Sequence, residues 1–208
     1  MCGFAGVLLN SNDTTFSNEY LQAIKEANNF INHRGPDEEG HYFDPFIALG
    51  FRRLSIIDID GGQQPFSFNN ERYWLVFNGE IYNYISLREQ LQEKGYHFYT
   101  SSDTEVLATL FLEKGVNAFS ELRGMFAIII WDREEKKLYG ARDSFGIKPF
   151  YYTENKHDLI FASEKKSISF LMQQEVVELQ ALQHYLSFQY VPDPMTLTKD
   201  VKKLEPGL

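Results

Sequence analysis

The chain has 208 residues, 43% of them hydrophobic and 24% charged. That is enough for one large domain or two small ones, and for burying roughly 70% of the unfolded surface. Twenty Lys and Arg against 29 Asp and Glu leave a net charge of −9, which argues against broad nucleic-acid or anionic-membrane binding. The longest apolar run, Met125 to Trp131, falls far short of the roughly 20 residues of a membrane span. The apolar start Met1 to Leu9 lacks the charged lead of a signal segment, and a single cysteine excludes an internal disulfide or a Cys-rich zinc site. The expectation is a cytoplasmic globular protein with no nucleic-acid and no membrane partner.

In chain order, residues 1 to 9 are apolar and β-compatible, and Asn10-Ser-Asn-Asp13 marks a turn. A helix is expected from the N-cap Ser17 to about Ile31, with Leu21, Ile24, Ala27 and Ile31 on one face. Strands are expected at Phe46 to Phe51, Tyr73 to Phe77, His97 to Thr100 and Met125 to Trp131. The charged run Asp132 to Lys137 reads as a hairpin tip before a strand at Leu138 to Ala141. A second hairpin pairs Phe150 to Tyr152 with Leu159 to Ala162 around Asn155 to Asp158. Ser102-Asp-Thr-Glu105 has the spacing of a capping box ahead of a helix, and Gly115 stands where that helix would stop. A last helix, about Leu179 to Phe188, is broken by Tyr190-Val-Pro-Asp-Pro194, and the tail behind it carries little to pack. Frequent hairpins with helices in groups favour α+β with antiparallel sheets.

The position of Cys2 matters more than its presence. A small residue behind the initiator methionine permits methionine removal, which makes Cys2 the mature N-terminus. Its α-amine would then titrate at ~7.7–8.0 and the thiol at ~8.5, so one residue would carry nucleophile and base. The bland alternative is a small buried hydrophobe at a strand start. The five histidines, His33, His41, His97, His157 and His184, show no metal-ligand spacing, and no metal is expected. His33-Arg-Gly-Pro-Asp37 reads as a structural turn whose Arg and Asp pair or cap.

Asn78-Gly79-Glu80 interrupts a strand-like run. The Asn78 side chain and the Gly79 N–H suit an oxyanion site, although Asn-Gly is also the strongest hairpin signal. Of Arg52 and Arg53, a guanidinium there can grip a carboxylate bidentately. Glu80 and Asp103 can hold an ammonium, while Asp103 alone reads as a capping residue. Together the set fits an amino acid with a reactive side-chain amide, with glutamine the obvious candidate.

Further segments complete the picture: Met1-Cys-Gly-Phe-Ala-Gly-Val7, Arg53-Leu-Ser-Ile-Ile-Asp58, Gln64-Pro-Phe66, Asn78-Gly-Glu-Ile-Tyr-Asn83, Arg123-Gly-Met-Phe-Ala127, Arg142-Asp-Ser-Phe-Gly-Ile-Lys-Pro149 and Ala162-Ser-Glu-Lys165. With the His33 and Ser102 segments they run in order over nearly the whole chain. It resembles the N-terminal glutaminase domain of glutamine-hydrolysing asparagine synthetases, class II amidotransferases with an N-terminal nucleophile. The resemblance implies a four-layer α/β/β/α sandwich of two antiparallel sheets, of the N-terminal nucleophile hydrolase type. It implies Cys2 as nucleophile with its own α-amine as base, and Asn78 and Gly79 as oxyanion hole. Arg53 would bind the glutamine α-carboxylate, Glu80 and Asp103 the α-ammonium, with Leu54, Ser55, Ile56 and Ile57 lining the pocket. Arg142 and Asp143 are assigned to an ion-paired turn, and Tyr151 and Tyr152 to core packing.

Whole asparagine synthetases continue into a domain that binds ATP and aspartate through a Ser-Gly-Gly-x-Asp-Ser loop, which is absent here. Residues 1–189 are thus expected to be the amidotransferase domain and 190–208 a lead-in to a synthetase domain, the chain being a fragment. No cofactor is expected for the glutaminase step; ATP and Mg belong to the synthetase domain. The expected partners are L-glutamine and that C-terminal domain, with a homodimer left open. Two alternatives stand beside this: an amidotransferase domain serving a different acceptor, and a non-catalytic regulatory domain if Met1 is retained.

Overall fold

Strand β1 (Gly3–Leu9) lies inside the larger sheet because both its edges are taken, by β3 (Ile47–Arg53) and β9 (Asp158–Ala162). The computed structural model describes residues 2–10, 16–55, 58, 61–173 and 175–208. Beyond β3 the sheet continues to β2 (Glu38–Phe43), and beyond β9 to β8 (Tyr151–Glu154) and β10 (Lys202–Lys203). A second sheet has the order β4 (Phe66–Phe68), β5 (Tyr73–Ile81), β6 (Gly124–Asp132), β7 (Lys137–Arg142). Every pairing in both sheets is antiparallel.

Side-chain alternation gives each sheet two buried faces. The faces that meet pack Phe4, Phe51, Val76, Ile129, Trp131 and Phe161 into a common layer. The outer face of the larger sheet is covered by α1 (Asn18–Asn29) and α4 (Lys165–Met172), which set Ile24, Ala27, Ile168 and Leu171 on Ala5, Val7 and Ala48. The outer face of the smaller sheet is covered by α2 (Tyr84–Glu93) and α3 (Asp103–Lys114), through Leu87, Leu91, Val106 and Leu110. This is the expected four-layer α/β/β/α sandwich. A further helix, α5 (Leu179–Phe188), leaves Leu179 and Leu186 about three-quarters exposed, at 75% and 74%. Among the described residues no helix is long and apolar enough to cross a membrane.

Local signals act largely as read. The Ser17 side chain caps α1 by accepting from the Tyr20 N–H at 3.1 Å, and Ser102 caps α3 by accepting from Thr104 at 3.1 Å. Gly115 ends α3 at φ +57°, a left-handed value that suits glycine. The Asp132 carboxylate accepts from the Glu134 and Glu135 N–H groups and so folds the β6–β7 tip. Of the expected turn at Asn10 to Asp13, residues 11–13 lie outside the described residues.

Three expectations fail for identifiable reasons. His97 to Thr100 forms no strand, because the Glu105 carboxylate takes the N–H groups of Tyr99 and Thr100 and the Thr100 hydroxyl at 2.7–2.9 Å. Glu105 therefore staples the loop before α3 instead of closing a box onto Ser102, whose own N–H goes to the Thr100 hydroxyl. The tail is not loose either. Thr196, Thr198 and Val201 are buried, and β10 adds to β8 at the sheet edge.

Glu105 is buried and holds its loop with hydrogen bonds to a charged acceptor, so Glu105→Ala should destabilise the fold by about 2–3 kcal/mol. Urea denaturation measures this; a midpoint equal to the parent's would refute the assigned role.

Candidate active site

At one end of the inter-sheet layer, strands from both sheets change from apolar to polar on the same face. Along β3 the inward series Ile47, Leu49, Phe51 ends in Arg53, and along β1 the residue two before Phe4 is Cys2. Along β5 the series Trp74, Val76 continues as Asn78 and Glu80, opposite Ala127 and Met125 of β6. The period of two thus delivers Cys2, Arg53, Asn78 and Glu80 to one place. They line a cavity of about 180 Å³, which suits a metabolite of amino-acid size.

Asn78-Gly79 is not a turn. It lies within β5, and a Cβ on Gly79 would meet the Met125 carbonyl oxygen at 2.2 Å, so glycine is required by the neighbouring strand. Asn78 is only 1% exposed, and among the described residues neither its Nδ2 nor its Oδ1 has a hydrogen-bond partner. Such a group costs about 1–3 kcal/mol, and its persistence points to a ligand.

The adjacent edge of β5 supplies a second donor. Phe126, opposite Gly79, donates its N–H to the Asp143 carboxylate and accepts from the Asp143 N–H at its carbonyl. Gly79 must therefore turn its own N–H away from β6. On that outer edge β4 covers β5 no further than Leu75. The Gln64 side chain takes the Phe77 N–H at 2.6 Å and donates to its carbonyl at 3.2 Å, and Asp103 accepts from the Ile81 N–H at 3.1 Å. Between them the Gly79 N–H points out of the edge.

The Cys2 sulfur accepts from the Leu54 N–H at 3.4 Å and donates to the Leu54 carbonyl at 3.6 Å. Arg34 donates to the Cys2 carbonyl at 3.1 Å and pairs with Glu164 at 2.9 Å, so the His33 to Asp37 segment braces the start of β1. Burial pushes the Cys2 thiol up, against the pull of the Leu54 backbone, Arg53 and Lys148. Asp103 is pushed up to about 6 by burial, with the Ile81 and Thr104 N–H groups opposing and Glu80 adding to the rise.

Cys2, Arg53, Leu54, Asn78, Gly79, Glu80 and Asp103 all line the cavity. Arg53 is buried, paired with Glu38 at 2.9 Å and bonded to the Asp58 carbonyl. Arg52 points to the opposite face, to Glu39 and Asn29. Ser55 does not reach the cavity wall; its N–H is taken by the Asp37 carboxylate at 2.8 Å. Ile56 and Ile57 lie outside the described residues. Sequence reasoning missed Gln64 and Lys148, both on the wall, although each stood in a recognised segment. Arg142 and Asp143 do not pair with each other. Asp143 accepts from the N–H groups of Phe126, Phe145, Ile147 and Lys148, and Arg142 donates to the carbonyls of Gly146, Lys148 and Leu204. Together they shape the loop that presents Ile147 and Lys148. Among the described residues no cluster of His, Cys, Asp and Glu is arranged to hold a metal.

The whole chain, residues 1–208, matches the family model described as a glutamine amidotransferase domain. It is 51% identical over 207 residues to glutamine-hydrolysing asparagine synthetase 1 of Bacillus subtilis (strain 168), covering 100% of this chain and 33% of that protein. It is 44% identical over 172 residues to glutamine-hydrolysing asparagine synthetase 2 of the same organism, covering 81% and 22%. The chain therefore spans a third or less of the length of these relatives. Among solved structures, glutamine phosphoribosylpyrophosphate amidotransferase from B. subtilis, complexed with ADP and GMP, superposes with a TM-score of 0.66 at 22% identity, over 82% of this chain and 44% of that one. That likeness carries the fold.

Because Asn78 is buried without partners and beside an open cavity, Asn78→Leu, which has the same branching at Cγ but no polar atoms, should raise stability by about 1 kcal/mol. A destabilised variant in thermal unfolding would show that the amide is satisfied in solution.

Proposed function

The chain belongs to the glutamine amidotransferase domain family, and from that premise we propose that it hydrolyses the side-chain amide of L-glutamine to glutamate and ammonia. The observation that carries the reading is the unpartnered Asn78 amide beside the outward Gly79 N–H, in the cavity that holds the single cysteine.

Burial holds the thiol protonated at rest, so attack needs a base at hand. Removal of Met1 frees the Cys2 α-amine, whose ordinary value of ~7.7–8.0 leaves it partly neutral near pH 7. The amine takes the thiol proton, and the sulfur bonds to the amide carbon. The oxyanion accepts from the Asn78 Nδ2 and the Gly79 N–H. The ammonium returns its proton to the leaving nitrogen, the C–N bond breaks, and ammonia departs. Water adds to the thioester through the same oxyanion, giving glutamate and the free thiol. At the far end of the substrate, Arg53 faces the α-carboxylate, and Glu80 and Asp103 face the α-ammonium. Leu54 holds the sulfur through its backbone. No cofactor takes part in this step.

The destination of the ammonia is inferred from the relatives. Those at 51% and 44% identity are named glutamine-hydrolysing asparagine synthetases. We therefore propose that ammonia passes to a C-terminal synthetase domain that makes asparagine from aspartate and ATP with Mg. Gly207 and Leu208 lie against the loop bounding the cavity: the Leu208 carbonyl accepts from the Arg142 N–H, and the Gly207 N–H donates to the Asp143 carbonyl. A cytoplasmic location belongs to this proposal, since a reducing compartment keeps a catalytic thiol free.

Cys2→Ala should abolish ammonia release from glutamine while keeping the circular dichroism spectrum. Parent-like turnover in that variant would sink the mechanism. In the same variant, glutamine binding should depend on Asp103, which must be ionised to hold the ammonium. With its carboxyl near 6, Kd should rise as pH falls through that value, roughly tenfold by pH 5. Calorimetric titration across pH 5–8 reads this directly, and a flat profile would remove Asp103 from substrate binding.

A further inference from the structure

One charged cavity residue has no part in the steps above. Lys148 is 3% exposed and lies on the same wall as Cys2, Asn78 and Glu80. Its backbone is fixed, the N–H to Asp143 at 3.0 Å and the carbonyl to Arg142 at 2.8 Å. Among the described residues its ammonium has neither a hydrogen bond nor an ion pair. A lysine that serves only packing normally reaches solvent or a carboxylate, because an unpaired buried charge is costly. The fixed main chain leaves this ammonium at the cavity.

We propose that Lys148 is a positioning residue for the Cys2 nucleophile, a fixed positive charge on the cavity wall that favours the thiolate and keeps the Cys2 α-amine unprotonated. The inference rests on the glutaminase reading and deepens it. The substrate does not itself call for this cation, since the reacting amide is neutral and Arg53 already faces the α-carboxylate. The nucleophile does. Proton transfer from thiol to amine creates a negative sulfur, and attack then creates an oxyanion; both gain from a nearby cation in a partly dry site. The same charge opposes premature protonation of the amine, so one lysine biases thiol and amine in the productive direction.

The charged surroundings agree. Burial lowers the Lys148 value, Glu80, Cys2 and Asp143 act to raise it, and Arg34 acts to lower it. Arg53 acts on the Cys2 thiol with the same sign as Lys148. Asp103 and Glu80 contribute the negative groups of the cavity, and both are engaged by the substrate ammonium in the proposed complex. Glutamine binding therefore leaves Lys148 with the sulfur as its remaining anionic partner on the wall.

The test uses the chain running from Cys2 to Leu208, with Cys2 as first residue verified by intact mass, in three forms: parent, Lys148→Met and Lys148→Arg. Iodoacetamide alkylation of Cys2, followed from pH 5 to 10 without glutamine, reports the thiol midpoint, and ammonia release reports kcat/KM over the same range. Lys148→Met should move the alkylation midpoint and the acidic limb of kcat/KM upward by about one pH unit, with little change in KM. Lys148→Arg should return both to the parent values. If Lys148→Met fails to fold by circular dichroism, Lys148→Gln is measured in its place. An unmoved midpoint in the neutral variant would overturn the proposal, even where kcat falls, because a structural role predicts that pattern. Failure of the glutaminase reading looks different: the parent would alkylate normally and release no ammonia.

Discussion

The chemistry of this molecule depends on where one short strand ends. β4 pairs with β5 only as far as Leu75, so Phe77, Gly79 and Ile81 present their outward main-chain groups to no neighbouring strand. An antiparallel edge left open is costly and reactive, and it must be covered or used. Here the cover is selective. Gln64 imitates a strand for Phe77, Asp103 accepts from Ile81, and the Gly79 N–H between them is left to face the cavity. The donor is aimed by a ladder on one side and by side chains on the other, so little of its direction is left to local flexibility.

The stacked sheets then bring the remaining groups to that edge. Inside the layer, alternation favours large apolar side chains, and Trp131, Phe4 and Phe161 fill it. Where β1, β3 and β5 reach the cavity, the same inward positions carry Cys2, Arg53, Asn78 and Glu80. These groups inherit the burial of the core without its apolar partners. That is the common cause of the raised Cys2 thiol and the unsatisfied Asn78 amide, and burial raises the Asp103 carboxyl at the start of α3 as well.

The sequence revealed most of what depends on local periodicity and short-range capping. Ser17, Ser102, Gly115 and the Asp132 tip all act through residues within a few positions, and each behaves as its side chain suggests. Reading failed where a distant or competing partner decided the outcome. Glu105 captures residues 99 and 100, which are aromatic or β-branched and would otherwise suit a strand. The Asn-Gly pair at 78 and 79 carries the strongest turn signal but is held straight by nine paired residues of β6. Gln64 and Lys148 were visible as letters in recognisable segments. Their roles come from what they face across the fold, which no spacing along the chain expresses. The tail misled for the same reason: Val201 and Thr198 look isolated until β8 and α4 lie beneath them.

A cavity carrying Arg53, Lys148, Glu80 and Asp103 is in balance by formal charge, yet its charges are not all matched inside the protein. Burial and the nearby Glu80 raise Asp103, so its carboxyl resists ionisation. In the proposed complex a zwitterionic amino acid relieves this arrangement at both ends, its ammonium between the two carboxylates and its carboxylate at Arg53. Its side-chain oxygen, once negative, supplies the acceptor that Asn78 and Gly79 lack. Part of this mismatch is thus relieved by the substrate and more of it in the transition state, which is the partition that favours turnover over tight substrate binding. The same reasoning explains why the fold can tolerate several uncompensated groups at one end. The rigid two-sheet core holds them in place, and the substrate and its reaction provide the missing partners.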